Sequence, residues 1–437
     1  MRLHIGWRAL HWVVGILTLL IAWQGKKPYL IAIRDVELLL VVVLCSMTFS
    51  SAIWWTIRGR LGRIEAILLA VVVLVAAGIA LGRESNFQRQ RADVLAADWA
   101  TRALGRHFIV GYSTFDEVSR LSERGLIAGV YIGRKNARGK SLEQLRAEID
   151  ALQDVRTRIG LPPLLIAADQ EGGSVAHLTP PLEPLPSLSA LVESGTDASL
   201  ETRAHVYGEI QGRGLASLGI NLNFGPVVDL RPGDGGPRFD THTLIEKRAI
   251  SNNPEIVARV ARAYSEGLMS QRVRPTLKHF PGLGRVTVDT HHSAGRVDST
   301  KQQLTESDWL PFQRIANEGA AIMLGHVIVG AIDPVNPASL SKPIVQNLIR
   351  GEWRFDGLLI TDDLNMGAVF RLGICYAAVT SLGAGVDLVL VSYDPDQYYA
   401  AMSCAADALR TGTLDQKMLM NSRRRIDTSM HSTPRRT

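Results

Sequence analysis

The stretch RPTLKHFPGLGRVTVDTHH, Arg274 to His292, changes character at Lys278. Its first four residues, Arg274 to Leu277, read as a short β-strand. From Lys278 onward come a lysine, three imidazoles (His279, His291, His292), the carboxylate of Asp289 and a Pro-Gly-x-Gly run that no helix tolerates. A strand that empties into a loop rich in ionisable groups is the C-terminal end of a βα unit, where such folds keep their chemistry. Asp289 and His291 lie two residues apart. In an extended loop both side chains leave the same side, so the carboxylate orients and polarises the imidazole, the minimum equipment of a general acid/base. His292, one residue on, would point away from Asp289.

Working outward, the chain repeats this pattern. Strand-like runs are expected at Phe108 to Val110, Ala128 to Ile132, Leu164 to Ala168, Leu222 to Val227, Arg274 to Leu277, Ala321 to Leu324, Gly357 to Thr361 and Val386 to Val391. Helical periodicity falls between them, at Ser141 to Arg158, Leu200 to Leu218, Pro254 to Ser270 and Lys342 to Arg350. Eight such units predict an α/β fold of the (β/α)8 TIM-barrel type. An open doubly wound sheet would want a Gly-rich phosphate turn after its first strand, and none occurs there. Asp169, Asp229, Lys278 with His279, His326 and Asp362 all follow the carboxyl ends of expected strands, the end at which barrel active sites assemble. Asp362 and Asp363 are adjacent, so one carboxylate is expected to face away and cap a helix starting near Leu364.

The first ninety residues have a different composition. Apolar runs at Ala9 to Trp23, Leu38 to Ile57 and Ala66 to Leu81 are separated by basic residues, and they predict a membrane region of three transmembrane helices over 1–90, against the roughly 20 residues that span a bilayer. A cleaved signal peptide is the alternative for the first run, but no small-x-small site follows it. Trp12, Trp23, Trp54 and Trp55 sit near run ends, as interfacial anchors do. The dense Arg58, Arg60, Arg63 cluster favours a cytoplasmic N-terminus and a catalytic domain on the exported side, that is, a multi-pass protein of a bacterial inner membrane. The net charge of +6 is concentrated beside these runs and in a basic C-terminal tail over 421–437, with Arg423 to Arg425, Arg435 and Arg436. That placement suits an anionic lipid bilayer, not nucleic acid. Cys45 lies in an apolar run. Cys375 and Cys404 have no metal-type spacing, and a bridge between them stays open. His279, His291, His292 and His326 match no common zinc spacing, so no metal is expected.

Four motifs in order carry a resemblance: ADQEGG (Ala168 to Gly173), GINLNFGPVVDL (Gly219 to Leu230), KHFPGLG followed by DTH (Lys278 to His291), and LLITDDLNMGAV (Leu358 to Val369). Together they are similar to the single-domain beta-N-acetylglucosaminidases of glycoside hydrolase family 3, over most of residues 95–400. The resemblance implies a catalytic domain over 91–420 that removes terminal beta-linked N-acetylhexosamine with retention, from peptidoglycan or its fragments as the carbohydrate substrate, without cofactor. By the same resemblance Asp362, directly after Thr361, is the nucleophile, His291 the acid/base and Asp289 its partner. Asp169, Arg248, Lys278, His279 and His326 are expected to bind the sugar. The chain departs from the family pattern at Leu283 (histidine in KHFPGHG), Thr290 (serine in D-S-H), Ser174 (arginine after DQEGG) and Ala249-Ile250 (after Arg248). Those departures leave open a membrane-tethered sugar-binding protein without turnover, and the use of a histidine in place of a carboxylic acid, which would repel a phosphate nucleophile less, leaves open a glycoside phosphorylase on the same fold.

Overall fold

The computed structural model describes residues 2–194, 199–233 and 242–431. It divides into two units, Met1–Asp93 and Val94–Thr437.

In the first unit, helices α1 (Arg2–Gln24), α2 (Glu37–Ile57) and α3 (Arg63–Leu95) contain the three apolar runs. All three are long and apolar enough to cross a membrane. They pack through small and β-branched residues, with Ala22, Val41, Cys45, Val73, Ala76 and Ala80 forming one buried seam. Glu65 ties α3 to α1, accepting from Arg8 Nε at 3.2 Å and Trp12 Nε1 at 3.2 Å.

In the second unit all eight expected strands are present: β1 (Phe108–Val110), β2 (Gly129–Tyr131), β3 (Leu165–Ala168), β4 (Leu222–Asn223), β5 (Arg274–Phe280), β6 (Ala321–Leu324), β7 (Leu359–Thr361) and β8 (Val389–Val391). They pair in parallel in the order β7-β6-β5-β4-β3-β2-β1-β8, and a parallel bridge from Ile360 to Leu388 joins β7 to β8 and closes the ring. β4 stops early because Pro226 cannot donate to a ladder, leaving Val227 a single bridge to Lys278. β5 runs three residues beyond its expected end, with a register shift against β6 between Leu277 and Phe280.

The helices begin and end where local chemistry dictates. Ser141 caps Leu142–Arg158 in a reciprocal box with Gln144, Asn253 caps the helix opening at Pro254, and Gly219 closes Leu200–Leu218 in the left-handed region at φ +88°. Alternate residues of the strands fill the barrel: Leu165 and Ala167, Ala321 and Met323, Leu358 and Ile360, Leu388 and Leu390. Ile426 joins this cluster from the helix Gln416–His431. That helix occupies much of the segment that composition marks as a basic tail, and its position has a physical cause. Its apolar side, Leu419 and Ile426, is buried against the barrel, while Arg425 reaches Asp387 Oδ1 at 2.9 Å. Arg435 and Arg436 lie outside the described residues. A disulfide joins Cys375 to Cys404, Cα atoms 5.4 Å apart, linking the helices Ile374–Ala384 and Gln397–Arg410.

Candidate active site

The carboxyl ends of β3, β5 and β7 and their loops converge on one set of charges. Adjacent residues of a regular strand face opposite ways, but the bulge in β5 falls at Lys278 and His279 and lets both serve the site. Lys278 Nζ, 2% exposed, lies 2.5 Å from Asp169 Oδ1 and 2.6 Å from Glu171 Oε1. Arg248 grips Glu171 bidentately, Nε at 2.9 Å and Nη2 at 2.7 Å, and its Nη1 donates to the Thr243 carbonyl at 2.8 Å. Two cations and two carboxylates therefore balance inside a largely dry cluster. Burial alone would push both carboxyls up. Lys278 and His177 instead hold Asp169 well below the usual carboxylate range, and Arg248 and Lys278 hold Glu171 down at about 2. Lys278 is raised despite its burial, chiefly by Asp169 and Glu171.

Two further relays fix this cluster. Tyr131 donates from its hydroxyl to Asp169 Oδ2 at 2.9 Å and meets His177 Nδ1 at 2.8 Å. Asp229, fully buried after β4, accepts from the backbone N–H of His279 and of Leu283 through Oδ1, at 3.0 and 2.8 Å. Its Oδ2 pairs with His279 Nδ1 at 2.7 Å. His279 Nε2 faces Arg248 Nη2 at 3.4 Å.

At the end of β7 the two aspartates have opposite surroundings. Asp363 accepts from Asn365 N and Nδ2, Ser392 N and Oγ, and Tyr393 N, at 2.7 to 3.3 Å. It knits the β7 and β8 loops together, and burial holds its carboxyl above the ordinary value even so. Asp362 Oδ1 accepts from the Asp363 N–H at 2.8 Å. Burial raises its pKa, but His279, His326, that N–H and His291 outweigh burial, so Asp362 is ionised below the usual range. A partly exposed, ionised carboxylate with imidazoles around it can attack an electrophile. One held by five donors cannot.

The β5 loop delivers the remaining pair. Asp289, buried, accepts at Oδ1 from His291 N and His291 Nδ1, both at 2.9 Å, and from Thr243 Oγ1 at 3.0 Å; Oδ2 accepts from His242 N at 2.7 Å. Burial raises it, but the backbone N–H groups of His291 and His242 and the His291 ring bring it well below the carboxylate range. The carboxylate fixes the proton on His291 Nδ1 and turns Nε2 outward, on a side chain 42% exposed. The His291 carbonyl accepts from Gly367 N at 2.7 Å, docking this loop on the one that begins at Asp362.

Residues 108–429 match the glycosyl hydrolase family 3 N-terminal domain. The chain belongs to glycosyl hydrolase family 3. A beta-hexosaminidase of Chromobacterium violaceum is 34% identical over 304 residues, 68% of this chain and 81% of that one. Among solved structures, a family 3 beta-N-acetylglucosaminidase from Paenibacillus is 29% identical with a TM-score of 0.71, covering 77% of this chain and 63% of that one. A beta-N-acetylhexosaminidase from Beutenbergia cavernae is 28% identical with a TM-score of 0.68, covering 76% and 99%. The protein is a glycoside hydrolase of the beta-N-acetylhexosaminidase type.

In this family 3 enzyme the structure brings together Asp362, His291, Asp289, Asp169, Arg248, Lys278 and His279. His326 stands beside them, within the field of Asp362. It is fully buried, its Nδ1 meets Ser339 Oγ at 2.8 Å and its Nε2 the Asp363 carbonyl at 3.0 Å, so both ring nitrogens are engaged by protein. Burial lowers its pKa and it serves to hold the Asp363 backbone. Glu171 lies inside the quoted ADQEGG motif yet was not singled out; the signal was its place two residues after Asp169 on a Gly-rich turn. A Cβ at Gly172, φ +92°, would collide with Tyr207 Oη and the Pro186 carbonyl, which is why the turn carries glycine there. Leu283 and Thr290 are buried at 3%, and Ala249 and Ile250 are buried as well, so these departures from the family pattern are packing changes beneath the loops. Ser174 alone among them is exposed.

Proposed function

We propose that this enzyme releases terminal beta-linked N-acetylhexosamine with retention, through a covalent intermediate on Asp362. In the first step Asp362 attacks the anomeric carbon as the glycosidic C–O bond breaks, and protonated His291 Nε2 gives its proton to the departing oxygen. In the second, neutral His291 takes a proton from water, the water oxygen attacks the same carbon and the Asp362 carboxylate leaves. Asp289 stabilises the imidazolium while it exists. Lys278, Arg248, Asp169 and His279 hold ring hydroxyls, and Glu171 keeps the two cations in place.

The observation that carries this reading is the division of labour between neighbours. Asp363 is saturated by five donors, whereas Asp362 is ionised, partly exposed and within the field of His291. A fragment of peptidoglycan is the substrate class that the family likeness favours. Three apolar helices support anchorage in a bilayer, and the Cys375–Cys404 disulfide supports a barrel on the oxidising, exported side.

The test is hydrolysis of an aryl N-acetyl-β-glucosaminide beside the corresponding glucoside, with and without phosphate. Release of free N-acetylglucosamine that Asp362→Asn abolishes is expected. Formation of a sugar phosphate in preference would make the enzyme a phosphorylase, and turnover surviving in Asp362→Asn would remove the nucleophile assignment.

A further inference from the structure

A second imidazole, His292, follows His291 directly, and the structure sets it against a third, His242, that the sequence reading did not select. His292 Nε2 lies 3.2 Å from His242 Nδ1, and His242 Nδ1 lies 3.3 Å from Asp289 Oδ2. The three donor atoms fall within 4.8 Å of one another. A tetrahedral ion with bonds of about 2.0–2.1 Å needs ligand atoms about 3.3–3.4 Å apart, so two of the three edges are already at that length. The rings of His242 and His292 meet edge to face with centroids 4.9 Å apart, so the two imidazoles are already packed together. One proton on His242 Nδ1 serves either Asp289 or His292, whereas an ion serves both. Asp289 supplies a buried negative charge, and His242, 58% exposed, opens the position to solvent.

We propose that His242, Asp289 and His292 form a site for a borderline divalent transition metal, Zn²⁺, Cu²⁺ or Ni²⁺, with water as the fourth ligand, and that occupancy switches the enzyme off. Two imidazoles and one carboxylate suit those ions and disfavour Mg²⁺ or Ca²⁺. Inhibition follows from the shared ligand, and this part rests on the acid/base reading of the proposed function. Asp289 Oδ1 holds the His291 Nδ1 proton. A dication on Oδ2 draws charge from that carboxylate, disfavours the imidazolium beside it and pins the loop that carries His291.

The experiment uses the full-length enzyme in detergent, without a histidine tag and stripped by chelator, titrated with Co²⁺ for its visible spectrum and with Zn²⁺ for activity. One equivalent of tetrahedral Co²⁺ is expected, with at least about tenfold loss of turnover at saturating Zn²⁺ that EDTA reverses. His292→Ala and His242→Ala, each retaining metal-free turnover, should bind at least about tenfold more weakly and lose the inhibition. Identical titrations of wild type and both variants would overturn the site. Binding that depends on His292 but leaves turnover unchanged would overturn the switch. The spectrum does not depend on catalysis. Failure of the acid/base reading appears separately, as metal-free turnover that survives His291→Ala.

Discussion

Glu171→Gln tests whether the charged cluster beneath the sugar site is an energetic unit. The native carboxylate is 7% exposed, holds Arg248 by two hydrogen bonds and lies 2.6 Å from Lys278, itself 2% exposed. Glutamine has nearly the same volume, so packing is preserved while one negative charge is lost. Lys278 and Arg248 would then share Asp169 alone, and the amide nitrogen would present donors to a guanidinium that already donates. Breaking a buried pair by removing one partner costs about 3–5 kcal/mol. With an unfolding entropy of roughly 2 cal/mol/K per residue, a barrel of this size should melt about 4–7 °C lower. The assay is thermal melting of the intact chain in detergent at pH 7, followed by near-ultraviolet circular dichroism, beside KM for an aryl N-acetylglucosaminide. KM should rise because the displaced cations no longer meet the hydroxyls. Glu171→Gln combined with Arg248→Met, which removes the orphaned charge, should melt closer to wild type than Glu171→Gln alone. A single variant melting within about 1 °C of wild type with unchanged KM would refute the argument.

Asp362→Asn should lower turnover by roughly a thousandfold or more with little change in melting, whereas Asp363→Asn should chiefly lower melting, because Ser392 and Tyr393 lose their common acceptor; circular dichroism and initial rates on both variants separate the two. Acid should weaken the barrel in a defined window. Asp169 and Glu171 are depressed in the folded state, so their contribution is complete above the unfolded carboxyl values near 4 and is lost as pH falls through the folded values, about 2 for Glu171. Melting from pH 5 to 2 should show this loss, with a smaller slope in Glu171→Gln. Ile426→Ala, which empties a fully buried position of the barrel core, should cost about 2–5 kcal/mol in a denaturant titration, and a cost below 1 kcal/mol would show that the C-terminal helix is not part of the core.

Strands such as β1, β6 and β8 were legible because they are runs of β-branched and aliphatic residues buried on both faces, bounded by turn chemistry. β1 and β6 were read to the residue. The C-terminal helix was not, because its sequence announces charge: Arg423, Arg424 and Arg425 in a row mask the buried positions Leu419, Ser422 and Ile426. That stripe, at helical spacing, is the part that folding uses. The partners of His326 were illegible for a related cause. Its place after a strand said only that it stood at the active end, and the fact that Ser339 and the Asp363 carbonyl consume both nitrogens depends on two distant loops.

The choice between Asp362 and Asp363 shows why a motif ranks residues without deciding between them. Both are carboxylates at the same strand end, and the residues beside them separate the two only through Asn365, whose backbone N–H and side-chain amide donate to Asp363. The rest of the distinction comes from the β8 loop: Ser392 and Tyr393, about thirty residues on, spend three hydrogen bonds on Asp363 and none on Asp362 among the described residues. Saturating one carboxylate fixes the turn and leaves its neighbour ionised beside the imidazoles of His279 and His291. The structural aspartate and the reactive one are therefore parts of one arrangement. A variant that frees Asp363, such as Ser392→Ala, should slow turnover by letting the turn that aims Asp362 relax, while Asp362 itself is untouched. A Ser392→Ala enzyme with wild-type kcat would show instead that the backbone donors of Ser392 and Tyr393 suffice to hold the turn.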